Sequence, residues 1–172
     1  MRTSLLSLLL LAFILAGCGR QPSLKNNPEA LTPAQAAQVV DGVRAFMQTV
    51  AHDVTQDGPA AWRKHFADSP AFFMASEGQM AFPDSTSATI AIHDLALDIK
   101  HIELVWGDSL RVDPLTPALA VVAAPWREVR VNAAGQRVEE TGFFTGVTEY
   151  RAGRWQFRDV HWSIAPAPSP AH

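Results

Sequence analysis

Apolar residues crowd the start of the chain and then settle into two rhythms. Leu5 to Ala16 is a near-continuous run of Leu, Ala, Phe and Ile, broken by Ser7. Gly19 to Leu31 has no period and carries Pro22, Pro28, Asn26-Asn27 and scattered charges, the composition of a flexible tether. Ala36, Val39, Val40, Val43, Phe46, Met47 and Val50 then recur at intervals of three and four, which predicts a helix to about Val54. Thr32-Pro33-Ala34-Gln35 supplies its start: Thr32 caps, Pro33 suits the first turn, and Gln35 closes a capping box. Asp57-Gly58-Pro59 restarts a short second helix with Trp62 and Phe66. Ala71 to Ala75 reads as a strand, Gly78 to Pro83 as its partner. Asp84-Ser85-Thr86 opens a third helix with Ile92, Leu95, Ala96 and Ile99 on one face.

Beyond Lys100 the period drops to two. Ile102, Leu104 and Trp106 alternate, then Leu110 and Val112, with a turn at Asp113 to Pro117. Ala118 to Val131, Val138 to Tyr150 and Arg154 to Ile164 read as longer strands joined by Ala133-Ala134-Gly135 and Ala152-Gly153. Helices followed by hairpin-linked strands predict an α+β domain over residues 32–164, its antiparallel sheet packed on the helices. Residues 165–172 form a Pro-rich tail that cannot join a sheet.

Composition changes this picture in three places. A 172-residue chain that is 48% apolar suits one domain. The formal net charge of −3 offers no basic field, so nucleic acid is not an expected partner. The single cysteine excludes an intrachain disulfide and a Cys-based zinc site, and no His-x-His or His-Glu-x-x-His occurs, so neither metal nor cofactor is expected. That cysteine, Cys18, follows Leu15-Ala16-Gly17 behind a run too short to span a bilayer. Leu15 to Cys18 resembles the lipobox of bacterial lipoproteins. The resemblance implies a signal peptide over residues 1–17, lipidation of Cys18, a tether over 18–31 and a periplasm-facing domain in the cell envelope. Membrane attachment would then be through the N-terminal lipid. Gly19, where enteric lipoproteins retained at the inner membrane carry Asp, favours the outer membrane.

The domain resembles the NTF2-like superfamily, in particular its SnoaL-like and DUF4440 branches. Asp57, Trp62, Phe66 and Asp68 follow one family segment, and Phe73 to Gly78 its first strand. Gly153-Arg154-Trp155-Gln156-Phe157-Arg158-Asp159-Val160-His161-Trp162-Ser163 follows the closing strand. The resemblance implies a curved sheet wrapped on a long helix into a cone with an internal pocket, and homodimers are common in the family.

Strict alternation along the closing strand puts Trp155, Phe157, Asp159, His161 and Ser163 on one face and Gln156, Arg158, Val160 and Trp162 on the other. The first set reads as a pocket wall, with Asp159 and His161 as a candidate acid–base pair. Trp126, Glu128, Phe144 and Trp62 are further candidates for the pocket. Three functions follow: a cone that binds a small apolar or amphipathic molecule, which is the leading reading; an acid–base isomerase, dehydratase or hydrolase; or a dimeric protein-interaction module.

Overall fold

The computed structural model describes residues 30–166. Residues 1–29 and 167–172, and with them the expected leader and most of the expected tether, lie outside them.

The first helix, α1 (Pro33–Asp57), begins as its sequence dictates. The Thr32 hydroxyl accepts from the Gln35 N–H at 3.2 Å, and the Gln35 side chain accepts from the Thr32 N–H at 3.0 Å. Val39, Val43, Phe46, Met47, Val50 and Val54 are buried along one stripe, each stabilising the fold by about 1.5–3 kcal/mol if fully withdrawn from water. The helix stops at Gly58, whose φ of 80° few other residues adopt readily. A 3-10 turn (Pro59–Ala61) leads into the single-turn α2 (Trp62–His65).

The short strands β1 (Phe73–Ser76) and β2 (Gln79–Phe82) form a hairpin, followed by α3 (Ser85–Asp98), capped by Asp84. Then come β3 (Ile99–Trp106), β4 (Arg111–Thr116), β5 (Leu119–Asn132), β6 (Arg137–Arg151) and β7 (Arg154–Ile164). The strands order as β2-β1-β7-β6-β5-β3, and β4 pairs with the other half of the β5 edge. Three polar contacts tie α1 to this sheet side. The Trp106 indole donates to the Met47 carbonyl at 2.8 Å, the Leu104 N–H donates to Thr55 Oγ1 at 3.1 Å, and Arg44 donates to the Leu110 carbonyl at 3.2 Å. The result is a curved sheet on three helices, the cone that the family resemblance implies.

Three expectations need correction. The sheet is mixed, because β1 lies parallel to β7 while the other pairs are antiparallel. Asp113 to Thr116 is strand rather than turn; Pro114 is tolerated because β4 pairs with β5 alone and needs no donor on its free side. The turn falls at Pro117-Ala118.

The third correction decides where the site lies. The β6–β7 register pairs Thr148 with Phe157 but Val147 with Asp159, so Arg158 is an extra residue, a β-bulge. Alternation resumes out of phase beyond it. Phe157 is fully buried, and past the bulge Val160 and Trp162 turn into the core. Asp159, His161 and Ser163 therefore face away from Phe157, on the outer side of the sheet.

The inner face of β5 carries Ala120, Val122, Ala124, Trp126 and Glu128, and that of β6 carries Phe144 and Thr148. Gly142 permits the tightest approach in this layer. A Cβ there would stand 1.8 Å from the Ser163 carbonyl oxygen and 2.8 Å from the Trp126 ring.

Candidate functional site

Short elements ahead of the long strands supply one wall of a cavity. Trp62 comes from α2, Phe66 from the residue after it, Met74 and Phe82 from the β1–β2 hairpin, and Ile92 and Leu95 from α3. The sheet supplies the other wall with Glu128, Phe144, Val160 and Trp162. The volume is about 140 Å³, comparable to the ~150 Å³ apolar cavity that holds a benzene ring.

Aromatic contacts organise this space. Trp162 is their hub, with ring centroids 4.5 Å from Trp126, 5.5 Å from Phe144, 5.7 Å from Trp62 and 5.9 Å from Trp106. Trp62 meets it edge to face at 89°, and both residues line the cavity.

Glu128 is the one ionisable group among the described lining residues. It stands directly opposite Glu140 on β6 and Leu104 on β3. Arg130, two residues along β5, reaches both carboxylates: its Nε lies 3.1 Å from Glu128 Oε1, and its Nη2 donates to Glu140. Glu128 is only 9% exposed, and burial pushes its carboxyl up to about 7; Arg130 opposes the shift and the charge of Glu140 adds to it. Near neutral pH the carboxyl is thus divided between acid and base forms.

A second buried titratable pair joins α1 to α2. His65 is 5% exposed, its Nε2 lies 3.2 Å from Asp53 Oδ2, and its ring meets Phe46 edge-on. Burial holds the imidazole below its ordinary value, with Asp53 counteracting. This pair does not line the cavity. Among the described residues, no three of His, Cys, Asp and Glu converge as metal ligands would.

The structure brings Trp62, Glu128 and Phe144 together at the cavity. Phe157 is packed beneath them between Phe46, Phe66 and Phe144. Trp126 lies behind Trp162, and its buried indole N–H has no partner among the described residues. Asp159 and His161 instead line a shallow outer depression beside Phe73 and Ala75, and no hydrogen bond joins them among the described residues. Burial raises the Asp159 carboxyl above its ordinary value, and among the described residues its one ion pair is a long 3.9 Å contact to Arg158. The Ser163 hydroxyl donates to the Phe143 carbonyl at 3.0 Å. These three positions do not form the cavity wall or the coupled acid–base pair expected of them. Cys18 lies outside the described residues.

The hub residue, Trp162, is among those that strict alternation assigns to the wrong face. The signal that finds it is polarity. Beyond the bulge Val160 and Trp162 are apolar and Asp159, His161 and Ser163 are polar, which assigns the faces without counting residues.

No protein-family model and no curated protein matches the chain in sequence. Solved structures do match in fold. An NTF2-like superfamily protein from Salmonella enterica superposes with a TM-score of 0.64 at 15% identity, over 78% of this chain and 95% of that one. A scytalone dehydratase-like protein from Novosphingobium aromaticivorans gives 0.66 at 9% identity, over 78% and 89%. A type 2 hexachlorocyclohexane dehydrochlorinase, LinA, gives 0.62 at 10% identity, over 77% and 89%. The fold is that of the NTF2-like superfamily.

Proposed function

We propose that the cone binds one small molecule with an apolar body of roughly benzene size and a single polar group that meets Glu128. The observation carrying this reading is the cavity itself, apolar on every side except at one buried carboxyl. Such a site takes its affinity from the apolar walls and its orientation from the polar group. We further propose that residues 1–17 are removed and that lipid on Cys18 holds the domain at the bacterial envelope, facing the periplasm, with the outer membrane favoured. The lipobox-like Leu15-Ala16-Gly17-Cys18 supports this.

Native mass spectrometry of the domain purified from its own host tests the binding reading. One retained molecule per domain is expected, and none in Leu95→Phe, which fills the cavity. A bare domain that shows no thermal shift with a panel of small apolar compounds would sink the idea. Mass analysis of the full-length product tests the anchor: a lipidated Cys18 N-terminus is expected, and an unmodified Cys18 in the membrane fraction would refute it.

A second reading has its own support. A carboxyl at about 7 can both accept and donate a proton near neutral pH, and the similar structures include proteins named a dehydratase and a dehydrochlorinase. In an acid–base enzyme on this scaffold, Glu128 rather than Asp159 and His161 would move the proton.

A further inference from the structure

The charge balance around Glu128 limits which polar group the cavity can take. Arg130 is shared between two carboxylates, Glu128 and Glu140, which face each other across neighbouring strands. With both ionised, the trio holds one negative charge more than positive. Like charges opposite each other on a sheet are unfavourable, and here one of them is buried. Among the described residues no other charged group bears on it from the cavity: α2, α3, β1, β2 and β7 contribute only apolar residues to the lining. A neutral ligand leaves the excess in place unless Glu128 takes up a proton. An anion doubles it, or must draw Arg130 away from Glu140. A cation cancels it.

The walls favour the same sign. Trp62, Trp162, Phe66 and Phe144 line a space that Glu128 also lines. Ring faces attract cations, most strongly where water is excluded.

We propose that the molecule held in this cavity is a small organic cation, a protonated amine or quaternary ammonium, with its charge on Glu128 and its body against Trp62, Trp162, Phe66 and Phe144. The proposal rests on the binding reading above and names the ligand class.

Isothermal titration calorimetry with benzylamine, benzyl alcohol and benzoate tests it, because the three share a ring and differ in charge. At about pH 8, with Glu128 largely ionised, benzylamine should bind at least about tenfold more tightly than benzyl alcohol, and benzoate most weakly. At about pH 5.5 that preference should shrink, because the amine must then displace a proton from Glu128, released into the buffer. Glu128→Gln should abolish the preference while benzyl alcohol binding persists. Should the variant not fold, the pH dependence of the native protein decides the matter. Equal or tighter binding of benzyl alcohol or benzoate at about pH 8 overturns the cation proposal and leaves the binding reading standing. No heat from any of the three overturns both.

Discussion

Glu128 and Glu139 lie on neighbouring strands of one hairpin, each beside an arginine, and they behave in opposite ways. Glu139 is on the outer face, where Arg127 and Arg137 each donate to it at 2.6 Å. Those hydrogen bonds, Arg127 first, hold its carboxyl below the ordinary range. Glu128 is on the inner face with Arg130 at 3.1 Å, yet its carboxyl rises. Sequence makes the two pairs look alike; desolvation separates them. On the outside water already solvates the charges, so the pairs add little. On the inside the charge is costly, and a costly charge facing an apolar cavity marks a place where a ligand can offset it.

The largest test of this contrast is packing. Phe144 is 1% exposed at the cavity wall and its neighbour Phe143 is 47% exposed on the outer face. Phe144→Ala should cost about 3–5 kcal/mol by denaturant unfolding, and Phe143→Ala about 0.5 kcal/mol or less. Equal losses would mean that the two faces are not distinguished as described.

Next in size is the titration of Glu128. Its folded value is raised from 4.5 to about 7, so the folded state holds a proton that the unfolded state has released. That contribution is fully present below the unfolded value and is lost as pH rises through the folded one. Stability should fall by about 3 kcal/mol across this window. In Glu128→Gln this component of the slope should vanish; an unchanged slope would assign the titration to another group.

Third is the tight approach at Gly142. Gly142→Ala should cost about 1–3 kcal/mol, since the Ser163 backbone and the Trp126 ring must both retreat. Smallest is the outer charge network of Arg127 with Glu139 and Glu103. Arg127→Ala should shift the melting temperature only slightly, and added salt should erase the shift. A loss comparable to that of the inner variants would remove the distinction between the faces.

Much of the fold was legible because local rules and tertiary packing agree. Thr32 and Gln35 cap α1, the stripe from Val39 to Val50 faces the sheet, and β3 from Ile102 and the first ten residues of β5 alternate as expected. Pro114 misled because its cost depends on whether a strand has a neighbour on both sides, which the local sequence does not say. The parallel β1–β7 pairing was hidden for the same reason, as it joins segments far apart in the chain. Within the site, Trp62, Glu128 and Phe144 could be read from face and residue type. Asp159, His161 and Ser163 could not, because one extra residue at Arg158 reverses every face beyond it. The His65–Asp53 contact joins consecutive helices, and its geometry depends on the bend at Gly58.

The hub at Trp162 also has an optical consequence. With Trp62, Trp106 and Trp126 all within 6 Å of it, these indoles exchange excitation energy before they emit, and their ultraviolet transitions mix. The domain's near-ultraviolet dichroism and tryptophan emission should therefore be largely collective properties of the cluster. A molecule entering beside Trp62 and Trp162 would change the signal of the whole group at once, so the native protein carries its own reporter for the interior of the cone.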